Sequence, residues 1–207
     1  MSKFEFIEVG TSDFRTLAAT IDAPGISIEP VKAYYDRLPV RDNLIRIKKA
    51  ISDTAKFVDV YWCDPEVIRT LNLPNWLRGC NSIEIPHPTV KKWCTEKGVD
   101  YNRLVKTDQI ECITLQELFD AFEVEEVNFL KIDTEGHDYY IVKHLFELPT
   151  MPLIHRIQYE SNSLLTPERR DELLHIVQSN GYRPHTVMSN GQEDTILTMI
   201  EEGEMHG

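Results

Sequence analysis

The chain has 207 residues, 42% of them hydrophobic and 27% charged, which suits an ordinary soluble globule with one sizeable core. A formal net charge of -12 and a pI near 5.0 exclude a phosphate-tracking nucleic-acid surface or an anionic membrane, both of which need clustered Lys and Arg. A neutral, small-molecule or cationic ligand fits better. Cys63, Cys80, Cys94 and Cys112 form no Cys-x-x-Cys pair and read as reduced, structural residues. The opening residues enter a strand pattern at once, without a signal-peptide apolar region. No run approaches the ~20 apolar residues of a membrane span, so a cytoplasmic protein without membrane insertion is expected. Its oligomeric state is left open.

In chain order, residues 4–9 read as a strand ending at Gly10-Thr11-Ser12-Asp13, ahead of a helical stretch over 14–21. A glycine there lets the backbone approach a ligand, and the helix start behind it offers free N–H groups. Residues 25–28 form a second strand ending in Glu29, 19 positions beyond Gly10. An acid about 20 residues after the first glycine is where nucleoside-binding α/β folds hold ribose hydroxyls; its other reading is a helix-start acid before residues 31–38. The dinucleotide fingerprint Gly-x-Gly-x-x-Gly is incomplete, because Asp13 and Phe14 stand where a pyrophosphate needs room and no negative charge. A nucleoside without phosphates is therefore the expected guest. S-adenosylmethionine is one, and its sulfonium suits acids such as Glu8 and Asp133.

Residues 44–49 give a third strand and 57–62 a fourth, with Ala50 and Ile51 between them as the expected apolar wall for an adenine, or as ordinary strand-end packing. Residues 64–108, broken by four prolines, read as a substrate lid with helical pieces, residues 88–96 among them, and with Gly79-Cys80-Asn81-Ser82 as a polar hinge. His87, beside two prolines, reads as a surface-loop histidine. Residues 110–113 suggest a short strand, and Thr114 with Glu117 a capping box opening a helix over 115–122.

The stretch Val127 to Asp138 is the most informative. An apolar run of buried-strand type stops in Asp133, Glu135 and Asp138 around Gly136, at the edge where open α/β sheets place ligands. Such crowding of acids is costly unless a cation, a hydroxyl or a helix N-terminus meets it. A helix over 139–148 follows, then a strand over 154–159 ending in Glu160-Ser161-Asn162, so neighbouring strands aim acids at one edge. Thr166-Pro167-Glu168 starts a helix that Gly181 stops. Asn190-Gly191 between residues 182–187 and 194–199 signals a hairpin.

Phe-Ile-Glu-Val-Gly-Thr-Ser at 6–12, Ser-Ile-Glu-Pro at 27–30, Leu-Lys-Ile-Asp-Thr-Glu-Gly-His-Asp at 130–138 and Ile-Gln-Tyr-Glu at 157–160 together resemble the FkbM-type S-adenosylmethionine-dependent methyltransferases. The resemblance implies an α/β, Rossmann-like class I methyltransferase fold: one domain over residues 1–207, with a mostly parallel seven-stranded sheet, an antiparallel C-terminal hairpin and helices on both faces. The implied activity is methyl transfer to a hydroxyl of a small-molecule or glycan acceptor. Glu8, Gly10, Thr11, Ser12, Glu29, Ala50, Ile51 and Asp133 are then the cofactor-binding candidates. Asp133, His137 and Glu160 are the catalytic ones, and Glu135, Asp138, Asn81, Ser82 and Asn162 are acceptor-binding. Asp133 and Glu160 would hold Mg2+ or Mn2+, hard cations that prefer oxygen. The chain departs from the family pattern at Phe14, where a second glycine is usual, and at His137, where a small residue is common. An NAD-type oxidoreductase and a non-catalytic module of a larger glycan-processing protein are the rival readings.

Overall fold

A computed structural model describes residues 2–12, 16–54, 56–83, 85–161, 165–189 and 192–200. Strand and helix alternate in the order β1 (Ser2–Val9), α1 (Leu17–Thr20), β2 (Gly25–Ile28), α2 (Lys32–Tyr35), β3 (Leu44–Ile47) and β4 (Ala50–Ile51). An inserted run follows: β5 (Phe57–Cys63), α3 (Pro65–Thr70), β6 (Ser82–Ile83), α4 (Pro88–Lys97), α5 (Tyr101–Leu104) and β7 (Val105–Ile113). The chain then returns through α6 (Leu115–Ala121), β8 (Val124–Ile132), α7 (Asp138–Phe146), β9 (Leu153–Glu160), α8 (Pro167–Ser179), β10 (Tyr182–Ser189) and β11 (Gln192–Met199).

The main sheet has seven strands in the order β10-β11-β9-β8-β1-β2-β3. β3, β2, β1, β8 and β9 run parallel, while β11 pairs antiparallel with both β9 and β10. Numbered within the sheet alone, this is 3-2-1-4-5-7-6, a Rossmann-like sheet closed by a reversed hairpin, as expected. The hairpin tip at 190–191 lies outside the described residues. Pro184 sits in β10 without breaking the ladder because β10 is an edge strand.

Register explains the layering. Phe6 pairs with Phe129, and Ile7 with Leu130; neighbours along a strand face opposite ways. Phe6 and Phe129 pack with Leu17 and Ala18 of α1 and with Leu44. Ile7 and Leu130 join the large core with Leu115 and Leu118 of α6, Ile141 and Leu145 of α7, and Leu173 and Val177 of α8. Helices therefore cover both faces, but unequally, since α1 is a single turn.

Two sequence expectations change. The run at 57–62 is a strand, yet it belongs to a separate four-stranded sheet in the order β4-β7-β5-β6, because its partner is β7, antiparallel over its full length. β7 begins at Val105, earlier than expected, since half of it is polar and exposed. The stretch 64–108 carries helical pieces as expected, with 88–96 inside α4: α3 is capped by Asp64 with Pro65 in its first turn, α4 starts at Pro88 and ends on left-handed Gly98, and α5 is capped by Asp100. Cys63, Ile68, Leu77, Cys80, Val90, Cys94 and Leu104 give it a small core of its own. All four cysteines are buried and free. Among the described residues no helix is long and apolar enough to cross a membrane.

Candidate functional site

The carboxyl ends of β1, β2, β8 and β9 meet at one edge of the main sheet. Gly10 leaves β1 at φ +76, and a Cβ there would lie 1.9 Å from the carbonyl oxygen of Asp133. Only glycine allows the two loops this approach. Below the turn, Glu8 is fully buried and accepts from the N–H of Leu17 at 2.9 Å, with Lys131 Nζ 3.6 Å away. Burial raises its pKa, and Lys131 and the backbone donors only partly offset this. Glu8 thus anchors the start of α1 from beneath the loop.

Glu29, at the tip of β2, closes the turn from the other side. Its Oε2 accepts from Ser12 N–H at 2.6 Å and from the Thr11 hydroxyl at 3.3 Å, and its Oε1 accepts from Val31 N–H at 2.8 Å. Burial pushes its pKa up to about 7 against those stabilising bonds. Ser12 itself is left-handed, at φ +43. Asp13, Phe14 and Arg15 lie outside the described residues.

At β8 and β9 the acids crowd each other. Asp133, Glu135 and Glu160 each offer an oxygen within 4.8 Å of the others. Burial first, then Asp133 and Asp138, hold Glu135 well above the carboxylate range; Glu160 is raised by burial and then by Glu135, Asp138 and Asp133. Burial works against the Lys131 ammonium, but Asp133 and Glu8 outweigh it and keep the amine charged; Nζ lies 3.0 Å from Asp133 Oδ2. Asp133 is the reachable acid, with 39% of its side chain exposed against 8% for Glu135. Asp138, by contrast, is a fastener. Its Oδ2 accepts from the Thr134 hydroxyl at 2.7 Å and from Thr134 N–H, and its Oδ1 accepts from Glu160 N–H at 3.3 Å. Burial, aided by Asp133, lifts it to about 6. Asp138 therefore ties the tips of β8 and β9 together, and α7 starts there with His137 as its cap.

Two histidines exchange their expected places. His137 is buried, its Nε2 3.1 Å from Ser52 Oγ, its ring 4.9 Å from that of Tyr140. Ser52 in turn donates to Asp53 at 2.9 Å. His137 thus links the end of β4 to α7. His87 is no surface histidine: only 9% of its side chain is exposed, and its Nε2 is 3.1 Å from Glu135 Oε2. Burial lowers its pKa and favours the neutral ring. Glu135 reaches it from a left-handed backbone, φ +53. Non-glycine residues in that region cost of order 1–2 kcal/mol and cluster at functional sites, and the edge carries one on each side, Ser12 and Glu135.

Of the remaining candidates, Asn81 accepts from Cys63 N–H at 3.2 Å and donates to Arg78 O, and Ser82 donates to Ile85 O at 2.7 Å. They brace the insert internally. Ala50 and Ile51 are each 2% exposed and belong to different core clusters, which leaves Ser52 and Asp53 beyond them at the edge. Asn162 lies outside the described residues. Sequence reasoning passed over Ser52, Lys131 and Cys80. The pattern Lys-Ile-Asp at 131–133 held the one signal available, a cation two residues before an acid, hence on the same face of the strand.

Chemically, this edge offers a hydrogen-bonding turn on its β1–β2 side and a set of carboxylates with one exposed member on its β8–β9 side. A hard divalent cation fits the second set, since it would favour the ionised form of acids that now raise one another's pKa.

No curated protein matches the chain. Residues 9–184, most of its length, match the Methyltransferase FkbM domain. That span contains the Gly10 turn, Glu29, the whole insert and the Asp133–Glu160 edge, so the chain belongs to the FkbM methyltransferase family.

Proposed function

We propose that the protein transfers a methyl group from S-adenosyl-L-methionine to a hydroxyl of a sugar or glycan. The observation that carries this reading is the contact of the Gly10 turn with the Asp133 carbonyl, which joins a nucleoside-type cradle to an acceptor-type carboxylate. Glu29 fits a ribose, because a buried carboxylate accepts from two hydroxyls as readily as from the Thr11 hydroxyl and Ser12 N–H that now hold it. The absence of cationic side chains from the described part of that turn suits a phosphate-free nucleoside. Acids at Asp133 and Glu8 favour the positive sulfonium side of the donor.

Methyl transfer to an alcohol is an in-line displacement in which positioning lowers the barrier and a base removes the hydroxyl proton. Asp133, exposed and beside Lys131, is the group within reach of an acceptor hydroxyl, as orienter and as base. Glu160 and Glu135 flank it, and the insert meets Glu135 through His87. A divalent cation held by Asp133 and Glu160 would supply Lewis-acid polarisation of that hydroxyl. His137, tied to Ser52, holds the loop that carries these acids.

The test is calorimetric titration of the chain with S-adenosylhomocysteine and, separately, with NAD, repeated on Glu29→Ala. Binding of the homocysteine compound in the micromolar range, weakened at least tenfold in the variant (~1.4 kcal/mol or more), supports the reading. Preference for NAD, or no binding by the folded protein, overturns it. With sugar acceptors, Asp133→Asn and Glu160→Gln are each expected to lower turnover by at least about 100-fold, and EDTA to lower it reversibly. Unchanged turnover in both variants and in EDTA removes the carboxylate cluster, and any cation, from the reaction.

A further inference from the structure

We propose that Cys80, His87 and Glu135 bind one zinc ion, which clamps the insert onto the acidic loop and leaves one coordination position open. Cys80 follows the turn of 3-10 helix at Asn75–Arg78, His87 immediately precedes α4, and Glu135 lies between β8 and α7. Two distant stretches of chain, the insert with Cys80 and His87 and the β8–α7 loop with Glu135, thus deliver a thiol, an imidazole and a carboxylate whose ligand atoms all lie within 4.8 Å of one another.

The donor set selects the cation. Sulfur, nitrogen and one oxygen suit zinc, whereas magnesium prefers oxygen alone. A tetrahedral zinc site needs ligand-to-ligand edges of roughly 3.3–3.6 Å, from zinc bonds of ~2.0–2.3 Å. The His87–Glu135 edge, 3.1 Å, is already of that size, and the sulfur edges close by roughly an ångström through side-chain rotation. Charge balances as well: a thiolate, a carboxylate and a dication sum to zero, which a buried pocket tolerates, while the thiolate and carboxylate alone do not.

A second observation is independent of the spacing. Nδ1 of His87 is buried without a hydrogen-bond partner among the described residues, in a side chain 9% exposed. Nε2 is the nitrogen that faces Glu135, and with Nδ1 unpartnered nothing on that side pins the ring against the rotation that centres Nε2 on a cation. The left-handed backbone of Glu135 is then strain held in place to aim its carboxylate at the insert. Three protein ligands with a fourth position open is the pattern of zinc sites that also receive a water or a substrate oxygen. The inference needs neither methyl donor nor acceptor, and it assigns Glu135 to the zinc, which leaves Asp133 and Glu160 for any cation of the proposed reaction.

Cobalt(II) is the probe. The EDTA-treated full chain, titrated with Co2+, is expected to take up one equivalent with a near-ultraviolet thiolate-to-cobalt charge-transfer band and tetrahedral visible bands. Zinc should displace it, and a thousandfold excess of magnesium should not. Cys80→Ser should abolish the charge-transfer band, while Cys112→Ser, in a different cluster, keeps it. His87→Gln should weaken zinc binding by at least about tenfold, the lower bound known for groups that merely support a ligand. Far-UV circular dichroism checks the fold; should Cys80→Ser not fold, His87→Gln and Glu135→Gln carry the test through their zinc affinity. No thiolate band in the parent chain, a band that survives Cys80→Ser, or unchanged zinc affinity in folded His87→Gln overturns the proposal.

Discussion

At the end of β2, the two oxygens of Glu29 are met by Ser12 N–H, Val31 N–H and the Thr11 hydroxyl; at the ends of β8 and β9, Glu135 and Glu160 are raised in part by other acids. Both groups are buried at the same edge of one sheet. For Glu29 burial is the raising cause, and no acid adds to it. On the β8–β9 side, like charges within one loop and its neighbour add to burial, and Lys131 offsets them only partly. Glu29 is completed by its own chain and suits a neutral guest. The other cluster carries acids that its own chain does not match, and on the proposed reading a cation would complete it. One edge can in this way bind a nucleoside at one end and activate a hydroxyl at the other.

The harshest way to break this pairing is at the point of contact. In Gly10→Ala the methyl would sit 1.9 Å from the Asp133 carbonyl oxygen, in a backbone at φ +76. The left-handed conformation costs about 1–2 kcal/mol and the overpacking about 1–3 kcal/mol, and backbone cannot swing aside as a side chain does. Urea denaturation is expected to show a loss of about 4 kcal/mol. Wild-type stability in this variant would mean that the two loops do not touch.

The next largest effect separates the two ends by pH. Glu29 has a folded pKa of about 7 against an ordinary 4.5, so the folded state holds this proton more tightly than the unfolded chain does. Its contribution is complete below about pH 4.5 and is lost as pH rises through 7. The total is about 3 kcal/mol, at 1.36 kcal/mol for each unit of pKa. The urea stability of the parent relative to Glu29→Gln should therefore fall across that window, with the same slope in magnesium as without it. A flat difference would show that Glu29 is ionised throughout the window in the folded protein.

Much of this edge is legible in the sequence because it lies within single stretches. Phe6 to Val9, Ile26 to Ile28 and Leu130 to Ile132 are apolar apart from Glu8, Ser27 and Lys131 and are ended by glycine or acids, and they lie in β1, β2 and β8 with ligand-type residues at their tips. The crowding of Asp133, Glu135 and Asp138 is likewise visible in six residues. Their division of labour is not: Asp138 spends itself on Thr134 and on Glu160, 22 residues away, and no spacing rule reveals that. His87 looked exposed because prolines flank it, yet its partner Glu135 is 48 residues distant. β7 was mostly missed because its polar, exposed middle lacks the apolar signal on which strand recognition rests; its hydrogen bonds to β5 hold it instead.

The smallest effect compares two threonines with equivalent duties. Thr134 donates to Asp138 Oδ2 at 2.7 Å, and Thr11 shares its one proton between Glu29 Oε2 at 3.3 Å and Ser12 O at 3.1 Å. Valine keeps the shape of either side chain and removes only the donor. A short hydrogen bond to a buried carboxylate is worth about 1.5–3 kcal/mol, a longer one nearer 0.5–1 kcal/mol, so Thr134→Val should cost about 2 kcal/mol and Thr11→Val about 1 kcal/mol or less in the same urea assay. The ordering carries the argument. Asp138 faces other acids and would be left with long backbone bonds, at 3.3–3.4 Å, whereas Glu29 keeps the Ser12 and Val31 N–H groups at 2.6 and 2.8 Å when the Thr11 hydroxyl is gone. A larger loss for Thr11→Val would reverse that reasoning and place the more weakly compensated acid at β2, on the nucleoside side.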